Sequence, residues 1–401
     1  MLKKIELLAP AGDMECLQTA LRFGADAAYI GGSFMQLRAD CVAFTDEEIG
    51  SAAALMHEHG KKLYVTVNSF AKNGEIELLG DYAKRLYALG ADAAIVSDIG
   101  ALVTMKNAQP ELQIHISTQA NCCNYAAART YYDMGASRVV LARELTIDEI
   151  SQLRAKTPPE LELEAFVHGA MCMAYSGRCL ISSFITGRSG NRGECTQPCR
   201  WEYYLVEQKR PNEFFKVEQQ DGCSAVLSSH DLKTISFLGE LEKAGITSFK
   251  IEGRMKTPYY LATVVNAYRR AMDGTADIES LERELRAFSH RPYSDGFYHG
   301  ELVRNHANDG LYHWECTFAG TVKACENGVL TVEQRNFFKL GDVLEVVSPD
   351  SLGQSFTVEN ITDENGESVP TACHPKNTYF LPCGLELKQG DILRVRIDNE
   401  K

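Results

Sequence analysis

Leu89-Gly90-Ala91-Asp92-Ala93-Ala94-Ile95-Val96-Ser97 contains the fold in miniature. A stretch of helical period, Glu75–Leu89, stops at a glycine suited to the left-handed backbone of a helix C-terminus. An apolar run, Ala93–Ser97, follows at once. The device recurs along the chain. Phe23-Gly24-Ala25-Asp26 joins the helical period Asp13–Phe23 to the run Ala27–Gly31. Met134-Gly135-Ala136-Ser137 leads into Arg138–Ala142, and Ala244-Gly245-Ile246 leads into Ser248–Glu252.

Further strand-like runs stand at Ile5–Ala9, Lys62–Asn68, Ile114–Thr118 and Glu162–His168, with helical periods at Asp46–His59 and Ile147–Ala155. Strands alternating with helices up to residue 273 predict an α/β chain folded as a parallel (βα)8 TIM-like barrel. A doubly wound open sheet is the alternative. One interval breaks the rhythm, between the seventh run and a helix expected at Leu232–Lys243. It predicts a Cys-rich insert over 169–230, within a barrel domain spanning 1–273. Residues 274–309 read as a linker with one polar helix. From 310 to 401 turn signals multiply. Asn327-Gly328 between Thr321–Cys325 and Val329–Glu333 marks a hairpin. Lys339-Leu-Gly-Asp-Val-Leu-Glu-Val346 is echoed by Lys388-Gln-Gly-Asp-Ile-Leu-Arg-Val395, and a small all-β, barrel-like domain is expected there.

Hydrophobic residues make up 45% of the 401, enough for a sizeable core. The charged opening segment has no signal-peptide pattern, and no run of 18 apolar residues occurs, so a soluble cytoplasmic protein without a membrane segment is expected. A net charge of −13 argues against indiscriminate nucleic-acid binding. Locally the sign reverses: residues 170–216 hold seven Lys/Arg against four Glu, and 248–272 hold five against one. Scattered solvated charge is the plain reading, and a basic face the functional one.

Thirteen cysteines in a chain of this type point to ligation rather than disulfides. The grouped set is Cys172-x6-Cys179-x15-Cys195-x3-Cys199. Four soft ligands on a glycine-rich segment suit a 4Fe-4S cluster. Zinc is the alternative, although only the second pair has zinc-like spacing. Unrelated buried thiols are the third reading. Cys122-Cys123, just past the fifth strand, is placed to line a site, although small core residues are the default for the dispersed cysteines.

Barrel enzymes carry their chemistry at strand C-termini. Here those ends supply Gln119, Asn121, Arg143, Glu144, His168, Lys250, Glu252 and Arg254, with Arg38 shortly after the second strand. Converging arginines suit carboxylates or phosphates, and His168 suits proton transfer or substrate hydrogen bonding. Ion pairing at the rim is the structural alternative, and no catalytic residue is assigned. Neither a His-Glu-x-x-His helix nor a Gly-x-Ser-x-Gly elbow is present.

Glu164-Ala-Phe-Val-His-Gly-Ala-Met-Cys-Met-Ala-Tyr-Ser-Gly-Arg-Cys179, continued by Cys195-Thr-Gln-Pro-Cys-Arg-Trp-Glu-Tyr203, resembles the signature of the collagenase-like peptidase U32 family. Leu7–Gly12, Ile116–Asn121, Ser229–Leu232 and Lys250–Arg254 add to the resemblance. Within the family, His290–Phe297 and Leu340–Pro349 are most similar to the tRNA hydroxylation protein P branch. The resemblance implies prephenate-dependent hydroxylation of a wobble uridine in the tRNA anticodon loop to 5-hydroxyuridine. It implies an iron–sulfur cluster on Cys172, Cys179, Cys195 and Cys199, and leaves room for a cluster-loading or electron-transfer partner. A basic insert with Arg178, Arg188, Arg192 and Arg200 would then track phosphates. The sequence departs from the pattern at Ala43-Phe44, where Asn-Phe is expected, and in a short stretch between Tyr203 and Ser229. A U32-type peptidase, a hydroxylase of rRNA cytidine or of a quinone ring, and a non-enzymatic RNA-binding protein are the competing readings.

Overall fold

Eight parallel strands close on themselves: β1 (Glu6–Pro10), β2 (Ala27–Gly31), β3 (Lys62–Val67), β4 (Ala93–Val96), β5 (Gln113–Ile116), β6 (Arg138–Val140), β7 (Glu162–Ala170) and β8 (Ser248–Ile251). The closing seam is β8, which pairs with β1 through Glu6↔Ser248 and with β7 through Ser248↔Glu164. The computed structural model describes residues 5–37, 43–172, 174, 176–201, 204–206, 214–216, 230–300 and 312–397. Closure decides for the barrel over the open sheet. Helices α1 (Met14–Arg22), α2 (Asp46–Glu58), α3 (Asn73–Ala88), α4 (Ile99–Ala108), α5 (Tyr125–Asp133) and α6 (Ile147–Ala155) alternate with the strands.

The strands are buried on both faces, as a parallel sheet requires. Leu8, Ala27, Tyr29, Tyr64, Ala93 and Ile95 form one buried cluster. β3 and β4 each stop one residue before the expected run ends, at Val67 and Val96. Asn68 and Ser97 follow β3 and β4, and the Ser97 hydroxyl donates to the Asn68 carbonyl at 2.8 Å.

The helix expected at Leu232–Lys243 is a correction. Asp231–Lys233 is instead a short strand, antiparallel to β7 and parallel to Tyr293–Ser294, and helix α8 covers only Leu238–Lys243. The cause is remote in sequence. Arg291, 1% exposed, grips the Asp231 carboxylate at 2.7 and 2.9 Å and so holds this segment extended.

Contacts divide the chain into two units: Met1–Leu17, Ala25–Met255 and Arg291–Tyr312, and Gln18–Gly24, Lys256–His290 and His313–Lys401. The second unit holds an antiparallel six-stranded sheet in the order 355–357, 343–347, 392–396, 316–326, 329–334, 378–382. Asn327 (φ 51°) and Gly328 (φ 77°) make the expected hairpin, where the left-handed backbone favours asparagine and glycine. The two echoed segments pair with each other, Leu344 opposite Val395. Each opens on the same device, with Asp342 accepting from the Lys339 amide and Asp391 from the Lys388 amide, both at 2.8 Å. Helices Pro258–Asp273 and Ile278–Arg286 also belong to this unit, and Glu284 of the latter holds the buried Arg394 at 2.8 and 2.9 Å. Among the described residues no helix is long and apolar enough to cross a membrane.

Candidate active site at the barrel mouth

The lower half of the barrel is filled with charge. Arg138, the first residue of β6, donates to Glu6 at 2.6 Å, Glu162 at 2.7 Å and Glu164 at 2.8 Å. Lys250 completes the stack, 2.8 Å from Glu164 and 4.5 Å above the Tyr29 ring. Burial would raise the Glu164 carboxyl, but the fields of Lys250 and Arg138 prevail and hold it below the usual range. Lys250 therefore sits inside the barrel as a structural ion pair rather than lining the mouth. His115 lies against this network, its ring 4.7 Å from Tyr64. Burial and the nearby cations hold its imidazole neutral, well below the usual histidine range.

Above the stack, Arg254 is buried and donates to Thr66 Oγ1 at 3.0 Å and Gln36 Oε1 at 3.1 Å. Two glycines make room for it. A Cβ on Gly31 would collide with its guanidinium and with Gln36, and one on Gly12 would collide with its carbonyl. Arg143 lies 3.7 Å above the Phe166 ring, donates to the Ala170 carbonyl at 2.8 Å and stands 3.7 Å from Glu252. His168 is 1% exposed, its ring 5.5 Å from that of Tyr293, and its carbonyl accepts from the Glu252 amide. Gln119 lies in the single turn Thr118–Ala120, and Asn121 follows with φ 54°. Arg143, following β6, thus reaches Glu252 and the Ala170 carbonyl at the ends of β8 and β7, where His168 also lies; Arg254 turns instead to Gln36 and Thr66, and Gln119 and Asn121 stand after β5. Arg38 lies outside the described residues.

The Cys-rich insert roofs this mouth. Glu144 accepts from the Ser176 amide at 2.9 Å, and Arg192 bonds Glu75 and the Phe70 carbonyl at 2.8 and 2.6 Å. Gly177 (φ 71°) presses on the Gln119 carbonyl, and Gly193 (φ 93°) packs on the carbonyls of Gln36 and Leu37. Any side chain at either glycine would lift the insert from the rim. Gln36, Thr66, Ser176 and the Glu75–Arg192 pair are mouth residues that sequence reasoning missed. Their partners are separated by 32 to 218 positions, so only the Gly-rich composition of the insert hinted at close packing. Arg192, expected among the phosphate-tracking arginines, pairs with Glu75 at 2.8 Å.

Cys172, Cys179, Cys195 and Cys199 are in no disulfide and are at least partly accessible to solvent. Asn191 ties Cys179 from both sides, donating to its carbonyl at 2.8 Å and accepting from its amide at 3.3 Å. A Cβ on Gly190 would stand 3.7 Å from the Cys195 sulfur. Four soft sulfurs on one insert fit an iron–sulfur cluster in donor chemistry. Among the described residues, no three Cys, His, Asp or Glu side chains converge closely enough to hold a metal ion. Cys122 is a different kind of thiol: burial pushes it up to about 12, which keeps it protonated.

The peptidase family U32 model matches residues 12–308, and the family's C-terminal domain model matches residues 315–394. The chain belongs to peptidase family U32. This U32 chain is 38% identical to tRNA hydroxylation protein P1 of Bacillus subtilis (strain 168), covering 93% of the chain and 90% of that protein. It is 37% identical to the 23S rRNA 5-hydroxycytidine C2501 synthase of Escherichia coli (strain K12), over 72% of the chain but 42% of that protein. It is 34% identical to the collagenase of Porphyromonas gingivalis (strain ATCC BAA-308 / W83), over 74% of each.

Proposed function

We propose that this U32 chain is an RNA hydroxylase that converts the wobble uridine of tRNA to 5-hydroxyuridine in the cytoplasm, with prephenate as co-substrate. The observation that carries the reading is the pairing of a cysteine insert with an arginine-bearing barrel mouth beneath it. The extent of the similarity supports the tRNA substrate: the tRNA hydroxylation relative is matched over 90% of its length, the rRNA-modifying one over 42%.

Cys172, Cys179, Cys195 and Cys199 would hold the iron–sulfur cluster, which supplies electron transfer when bound. The chain's own groups do the rest. Arg143, fixed by Phe166 and the Ala170 carbonyl, would meet a carboxylate of the dianionic co-substrate. Glu252 beside it offsets part of the Arg143 charge. Arg254, buried and oriented by Gln36 and Thr66, holds the opposite wall. Seating the insert on the rim excludes water from a base drawn out of a single-stranded loop. His168, near the end of β7, would carry a proton.

A peptidase is the competing reading, drawn from the family's name and the collagenase relative. The sequence has neither a His-Glu-x-x-His helix nor a Gly-x-Ser-x-Gly elbow to favour it. Nucleoside and quinone profiles of cells lacking the protein separate these functions. Loss of 5-hydroxyuridine and its derivatives from tRNA, with rRNA hydroxycytidine and quinones unchanged, is expected. A full complement of the tRNA modification, with no second copy of the gene, would overturn the reading.

A further inference from the structure

Three large apolar side chains stand exposed on the insert: Trp201 at 47%, Leu180 at 74% and Ile185 at 44% of full exposure. The segments that bear them are one body. Helix α7 (Ile181–Thr186) packs against the turn Pro198–Arg200, and the hydroxyls of Ser182 and Thr186 each meet that of Thr196 at 3.2 Å. Arg178 and Arg188 are exposed on the same body. Residues 170–216 carry seven Lys/Arg against four Glu in a chain of net charge −13. This body is the one that Arg192–Glu75 and Ser176–Glu144 fasten over the barrel mouth.

We propose that this face, centred on Trp201, is the seat of a single-stranded RNA loop. The indole stacks on a base neighbouring the one drawn into the mouth, and Arg178 and Arg188 meet the flanking phosphates. The proposal rests on the tRNA reading above and adds to it where on the chain the loop lies. Two observations select nucleic acid. An indole left half in water on an otherwise hydrogen-bonded insert offers a stacking platform, and every base has a π-face to occupy it. Arg178 and Arg188 put exposed cations on the same body of a chain that is acidic as a whole, which favours a polyanion there. Leu180 and Ile185, exposed on the same body, would suit ribose and base edges.

The chain contains two tryptophans, so Trp314→Phe leaves Trp201 as the sole indole. That variant, purified anaerobically at full length, is titrated with an RNA stem-loop copying a tRNA anticodon arm. Filter binding of the same RNA is measured in parallel. Saturable quenching of the indole emission is expected, with the midpoint of the filter-binding curve. Trp201→Ala is expected to weaken binding about tenfold, and Trp201→Phe to recover most of the loss. Arg178→Ala is expected to lower the slope of affinity against salt by about one. Filter binding with an unquenched indole and unchanged affinity in Trp201→Ala would overturn the proposal and leave the tRNA reading standing. Equal quenching by heparin would also overturn it, since charge alone would then account for the signal. Absence of RNA binding by the unaltered protein would sink the tRNA reading itself, and this surface with it.

Discussion

Glu164 is fully buried, accepts from both Arg138 and Lys250, and links the bottom of the barrel to its middle. Removing one member of such a network strands the others in a medium of low polarity. Glu164→Ala is expected to cost about 3–5 kcal/mol in urea unfolding, whereas Glu162→Ala, at the partly exposed end, should cost far less. His115 gives the pH dependence. Its folded-state pKa lies below the unfolded value of 6.5, so the unfolded chain binds a proton that the folded chain refuses. Its contribution to stability is therefore present above that value and lost as pH falls below it, by up to about 1.4 kcal/mol per pH unit. His115→Phe should flatten stability between about pH 7 and about pH 5, read from urea midpoints; an unchanged slope would assign the acid sensitivity to other groups. At the mouth, Gly31→Ala would drive a methyl into Arg254 and Gln36. Activity is expected to fall by an order of magnitude or more, since misplacing a positioned group by about 1 Å can cost about 100-fold. The thermal midpoint should move much less.

At the scale of elements, the strand runs were legible because parallel barrel strands are rich in apolar residues and several of the helices before them end on a marked glycine, as at Gly90 and Gly135. The segment 231–243 was not, because Arg291, far along the chain, holds Asp231 extended and overrides the local helical period. The cysteine spacing marked the insert, but how it is fastened was hidden, since its latches are single pairs with distant loops. Arg192 illustrates this. By composition it belonged to a phosphate-tracking set, and in the fold it bonds Glu75, holding that carboxyl below the usual range. Arg192→Ala is expected to raise hydrogen exchange across residues 176–200 while exchange in β1–β4 stays unchanged. Uniform exchange in the two proteins would show that the remaining contacts hold the insert unaided.

The whole molecule combines a barrel whose lower half is closed by ion pairs with a separate antiparallel unit built on a repeated Gly-Asp turn. In that unit Arg394, buried and held by Glu284 and Glu345, plays the part that Arg138 plays in the barrel. The repeat and the hairpin were readable from sequence, but the packing of residues 256–290 into the second unit was not, because the sequence there continues the barrel's strand–helix rhythm. The most direct test is nucleoside mass analysis of tRNA from cells lacking the protein and resupplied with either the unaltered chain or its Cys195→Ser variant, at matched protein levels. The account expects 5-hydroxyuridine to return with the unaltered chain and to stay absent with the variant. Restoration by both would contradict the role of the cysteine insert, and restoration by neither would contradict the tRNA hydroxylase itself.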